Sequence, residues 1–208
     1  MIPTKGSILN QEIDRNNEPS YYRMLVDGKH FKYITIDAGT YEVDGLCFPP
    51  DLLQNLPQFP PGEWNSGRIA QTGEGLNPIF TETCRKNFRS VSPLWHSKSF
   101  DYLSFKLGKI LTPNVYIASS PHFERPVVVK YARFDWEIGY FAAETQAYSW
   151  IEGQSIGPEF LGHLTEEDRT IGFVLEHAEG RHASVSDLDA CESLHQNAWT
   201  GTPPWRFE

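Results

Sequence analysis

Lys130 directly follows Val127, Val128 and Val129, a β-branched run that favours a packed, pleated strand. A lysine in such a place needs an anionic partner, because lysine is rarely buried alone. The segment from Asp135 to Gly153 offers one. At about 100° per residue, Ile138, Phe141, Thr145, Tyr148 and Ile151 fall on one broad helical face, and Glu144 lies within it. A carboxylate inside an apolar stripe must be paired or raised in pKa, so a strand lysine aimed at it satisfies both groups. Lys130 and Glu144 are therefore expected to pair. A lysine held in this way can contact phosphate oxygens. The plainer alternative is a structural ion pair, or two side chains reaching water from opposite sides.

The surrounding elements must position that pair. The strand is expected to run on through Tyr131 to Phe134, with Asp135 capping the helix and Gly153 ending it. Glu137, close to the cap, reads as a helix-dipole residue. Upstream, the segment from Leu94 to Leu111 alternates loosely and Asn114 to Ser120 is strand-like, so three strands form an antiparallel meander. Downstream, Ile156-Gly157-Pro158 breaks the chain before a short strand from Glu159 to Leu164. A charged turn from Thr165 to Arg169 leads to a strand from Thr170 to His177. The order is three strands, one helix and two strands. A polar loop follows, then helical character from Asp187 to Gln196, with Ser186 or Asp187 as cap.

Composition excludes several classes. At 208 residues, with 39% hydrophobic and 22% charged residues, the chain can build a real core and is not wholly disordered. A net charge of −9 argues against nucleic acid or an anionic membrane as the main partner. No run approaches the roughly 20 apolar residues that cross a bilayer. The first 20 residues lack the apolar centre of a signal peptide. Cys47, Cys84 and Cys191 are odd in number and far apart, as expected of reduced thiols in an intracellular, cytoplasmic chain.

Residues 1 to 90 read as an extension. The first 20 are polar, and Asp27-Gly28 marks a hairpin between RMLV and HFKYITI, with a second turn at Ala38-Gly39. The segment Phe48 to Trp64 carries five prolines and is expected to pack as an extended linker. TGEGLNP has no third glycine and no following lysine, so it is no phosphate cradle, and residues 65 to 90 read as irregular. His163, His177 and His182 come close in sequence but belong to different elements, a poor basis for a metal site. No serine sits in a GxSxG elbow.

The order of elements, with Lys130 and Glu144, resembles the smaller lobe of the protein-kinase-like fold, on its aminoglycoside- and choline-phosphotransferase-like side. More narrowly, VVVKYARFDWEIGYFAAETQAYSWIEG, IGPEFLGHLTEEDRTIGFVLEH and RHAS resemble uncharacterised fungal kinase-like proteins, over about residues 90 to 195. The resemblance makes Lys130 the phosphate-contacting lysine and Glu144 its helix partner. It makes Glu176, His177 and Ala178 a hinge whose backbone meets an adenine edge. Leu175 would stand behind the adenine, with Val115 and Val128 as its apolar roof. The phosphate-covering loop departs from GxGxxG, since Gly108 stands alone in KLGKILTPNVY.

No H-x-D follows the hinge among these residues, whereas the fold's larger lobe carries an H-x-D-x-x-x-x-N loop and a metal-binding aspartate. The resemblance therefore implies a truncated, pseudokinase-like protein. It would bind ATP weakly at most, with no Mg²⁺ expected and no phosphotransfer. The alternative is a non-catalytic interaction module, docking a partner or a second copy through the side the larger lobe would cover, or a remnant without function. The expected fold is α+β: an antiparallel sheet of about five strands with one long helix over residues 91 to 196, preceded by the extension at 1 to 90. Residues 197 to 208 form an atypical tail.

Overall fold

Asp27 and Gly28 both take positive φ (53° and 70°), which closes the expected hairpin between strands β2 (Ser20–Val26) and β3 (His30–Ile36). The computed structural model describes residues 6–14, 18–73, 75–154, 156–181 and 184–193. The chain divides into two units, Met1–Phe88 and Arg89–Glu208.

The first unit is more than a hairpin. Strand β1 (Gly6–Glu12) pairs antiparallel with β2, β4 (Ser66–Ala70) runs parallel to β3, and β5 (Ile79–Cys84) returns antiparallel to β4. The result is a five-stranded sheet in the order β1-β2-β3-β4-β5. Short helices α1 (Val43–Cys47) and α2 (Pro49–Asn55) lie in the β3–β4 connection. Proline at the first turn of α2 removes only an N–H that a helix start leaves unpaired, so the proline-rich run holds a short helix where an extended linker was expected. Tyr22 donates its hydroxyl to the Leu46 carbonyl at 3.0 Å, and Tyr22, Ile34, Leu46, Leu52, Trp64 and Ile69 share one core. The expected polar lead and irregular loop are thus wrong at β1, β4 and β5. In β4, glycine hides the apolar alternation because a Cβ at Gly67 would lie 2.9 Å from the Phe80 ring and 3.0 Å from Trp64.

The second unit carries β6 (Ser99–Asp101), β7 (Lys106–Thr112), β8 (Val115–Ser119), β9 (Val127–Tyr131), helix α3 (Ile138–Ile151), β10 (Phe160–Glu166) and β11 (Arg169–Glu176). They form a mixed, six-stranded sheet in the order β6-β10-β11-β9-β8-β7. The expected five antiparallel strands are all there, and the difference is β6, a three-residue edge strand parallel to β10. It is too short to show a period in sequence. The lysine strand also stops at Tyr131, short of the expected Phe134, where the Ala132 N–H bonds the Ile171 carbonyl.

Both faces of this sheet are used. Val129, Tyr131 and Val174 are fully buried on one side, with Tyr131 packed against Tyr102 and Tyr116. On the other, Phe173, Leu175 and half-buried Val128 pack with Ile138 and Phe141 of α3. The two backbones β9 and β11 approach closely at Gly172, where a Cβ would stand 2.0 Å from the Lys130 carbonyl oxygen.

Candidate functional site around Lys130

Strand register decides which side chains meet. Lys130 is opposite Val115 on β8 and Phe173 on β11, while Val128 is opposite Ile117 and Leu175. Directly opposed residues share a face, so these six side chains line the side of the sheet on which α3 packs. Val115, Ile117, Val128 and Lys130 are half-buried, and Phe173 and Leu175 are buried. The structure thus brings together Val115, Val128, Leu175 and Lys130.

Lys130 Nζ donates to Glu144 Oε1. The ammonium also stands 5.6 Å from the centre of the Phe173 ring. The lysine side chain is 21% exposed and the glutamate 35%, so the pair is open to water on one side. A pair so placed contributes on the order of 0.2–1 kcal/mol, too little to explain it as a major fold contact. Tyr148, one turn beyond Glu144, has its phenol pKa raised by burial and then by the negative charge of Glu144.

Helix α3 is held by ring packing of Phe141 and Tyr148 on Phe173, at 6.3 and 5.6 Å, and by the Trp95 indole N–H on the Thr145 carbonyl at 2.9 Å. Its start differs from expectation. Asp135 opens a 3-10 turn (Asp135–Glu137) and is not the cap, since its carboxylate accepts the Arg89 backbone N–H at 2.6 Å and Arg89 Nε at 3.1 Å. Glu137 does more than face the helix dipole. Nearly buried, it accepts the N–H groups of Arg133 and Phe134, both ends of the Arg133 guanidinium, and Asn114 Nδ2 at 3.0 Å. Asn114 also donates to the Tyr131 carbonyl at 3.2 Å, so Glu137 and Asn114 fix the end of the lysine strand. Gly153, at φ 73°, ends α3 as expected.

At the other end of β11, the Glu176 N–H donates to the Glu159 carbonyl at 2.9 Å. His177 is half-buried and Ala178 exposed, in irregular backbone leading away from the sheet. Between β7 and β8 the chain turns on Pro113 and Asn114, and Gly108 lies within β7 at an irregular pairing. Beyond them, Ser184 rather than Ser186 or Asp187 precedes the next turn, and its N–H bonds the Asp187 carboxylate. Residues 188–193 are helical, and the rest of the expected helix lies outside the described residues, as does the tail.

His163 is fully buried in β10, with Nε2 accepting the His96 N–H at 3.3 Å, whereas His177 lies beyond β11 and His182 lies outside the described residues. Among the described residues no group of three or more His, Cys, Asp or Glu is placed to hold a metal ion. No helix among them is long and apolar enough to cross a membrane.

A cavity of about 540 Å³ opens past the C-terminal end of α3, walled by Trp95, Tyr148 and Phe160. It meets the expected nucleotide residues only at Glu176 and does not reach Lys130. Sequence reasoning missed this cavity along with Phe173, Asn114 and Glu137. For Phe173 the signal was available, since a strand pairing of Lys130 with β11 puts an aromatic ring beside it.

Comparison with family models, with curated proteins and with solved structures finds no match for this chain.

Proposed function

We propose that the second unit is a kinase-like small lobe that binds ATP weakly through Lys130. The observation that carries it is the Lys130–Glu144 ion pair, which joins a central strand to the one long helix. Two further features support it. The strand–helix order β7-β8-β9-α3-β10-β11 matches the expected small-lobe order. Half-buried Val115 and Val128 offer an apolar surface beside the ammonium, with Leu175 behind them. In this account Lys130 contacts phosphate oxygens, Glu144 holds it in place, and the backbone at Glu176, His177 and Ala178 meets the adenine edge. The activity assigned to these residues is nucleotide binding.

A titration with a fluorescent ATP analogue tests it. Saturable binding displaced by ATP, and weakened about tenfold in Glu144→Gln, is expected, since charge-assisted contacts need an oriented ammonium. Absence of saturation, or equal affinity in the variant, would contradict it. A second account, a non-catalytic docking module, draws on Val185 and Leu188, which are 91% and 55% exposed just beyond the hinge. A protein partner or a second copy would cover them, and docking would survive loss of the Lys130 charge.

A further inference from the structure

The cavity past the end of α3 combines two features that the nucleotide account does not use. Its wall is a fixed aromatic cluster. Trp95 and Phe160 have ring centres 4.6 Å apart, Tyr148 lies 5.8 Å from Phe160, and the Trp95 N–H is already bound to the Thr145 carbonyl. Its rim is acidic. Glu152, Glu159 and Glu176 all border it, and none of the surrounding residues is lysine or arginine. Glu152 and Glu159 are exposed and form no ion pair among the described residues, so their charge is uncompensated. His96 also borders the cavity, and its Nδ1 accepts the Lys98 N–H at 3.2 Å.

We propose that this cavity binds an arginine side chain presented by an exposed segment of a partner protein. Charge selects the class: three carboxylates repel an anion and make a purely apolar occupant costly to desolvate. Among cations, guanidinium fits best. It is planar and weakly hydrated, stacks on aromatic faces, and forks onto carboxylates, whereas an ammonium is a hydrated point charge. Size favours a residue in a chain over a free headgroup, since about 540 Å³ accommodates a drug-sized ligand and leaves room for backbone flanking one side chain. Lys130 does not border the cavity, which shares only Glu176 with the nucleotide account, so Lys130→Met separates the fate of the two.

The test is calorimetric titration of the full chain with acetyl-Gly-Arg-Gly-amide, beside the same peptide carrying citrulline or lysine, and beside free argininamide. Citrulline keeps the shape and removes the charge. Saturable binding of the arginine peptide is expected, at least about fivefold tighter than each of the other three. It should weaken about tenfold in the double variant Glu152→Gln/Glu159→Gln, whose sites are exposed and leave the fold intact, and persist in Lys130→Met. Equal binding of the citrulline peptide would overturn a cation site, and equal binding of the lysine peptide would overturn guanidinium selection. Argininamide binding as tightly as the peptide would overturn the partner segment. No saturable binding, or full affinity in the double variant, would overturn the whole proposal.

Discussion

Two carboxylates on one short segment have opposite roles. Glu144 is half-exposed and bonded to Lys130, while Glu137 is nearly buried and accepts from two backbone N–H groups, a guanidinium and an amide. Removing Glu137 leaves those donors unpaired away from water. Glu137→Ala is therefore expected to lose about 3–5 kcal/mol, read as a lower midpoint in urea. A loss no larger than that of Lys130→Met would contradict this role. His163 makes the pH prediction. Burial, and then His96, lowers its pKa below the usual 6.5, so the unfolded chain binds the proton more readily. Stability is then complete above about 6.5 and falls as pH drops through that value towards the lower folded pKa. Unfolding midpoints from pH about 7 to about 5 should decline in the wild type and decline less in His163→Gln, which keeps an acceptor for the His96 N–H. At this scale the Lys130–Glu144 pair was legible, because residue type and helical spacing suffice to place it. The part Glu137 takes was not, because it depends on Asn114 and on where the strand ends.

Among elements, the central contact is β9 against β11 with α3 laid across them. Gly172 sets the strand spacing, as any Cβ there meets the Lys130 carbonyl and the Tyr131 Cα. Gly172→Ala should cost at least about 3 kcal/mol or prevent folding, as seen by loss of a cooperative thermal transition. Gly139, within α3, has nothing within 4 Å of its Cβ position. Gly139→Ala should stabilise by about 0.5–1 kcal/mol, because it restricts the unfolded chain and suits a helix. A destabilised Gly139→Ala would show that the start of α3 is packed differently. Helix α3 and the strands around it could be read from the sequence because β-branched runs, a 3.6-residue period and Gly153 agree with one another. Strand β6, parallel and three residues long, has no such signal. Strands β1, β4 and β5 were hidden by polar or glycine positions that make sense only beside their neighbours.

For the whole molecule, the two units each carry their own core, one around Tyr22, Ile34 and Trp64 and the other around Phe141, Phe160 and Phe173. A fragment of residues 89–208 is expected to melt cooperatively by itself, with dispersed amide resonances. A fragment that stays unfolded would show that the second core needs the first. Composition supplied the expectation of a real core, whereas the five-stranded sheet in the first half needed pairings between residues far apart in sequence, such as Tyr33 with Ser66. The acidic balance bears on partners at the same scale. The net charge of −9 has the same sign as the rim of Glu152, Glu159 and Glu176, the sign that the proposed arginine site requires.

The most direct test of the central claim is thermal shift of the purified chain against rising ATP, with and without Mg²⁺, beside Lys130→Met. The ion pair is half-open and contributes little to stability, so the variant should fold and serve as a clean control. A melting temperature that climbs with ATP in the wild type, regardless of Mg²⁺, and stays flat in the variant is the predicted result. An equal response in both proteins, or none in either, would contradict nucleotide binding at Lys130.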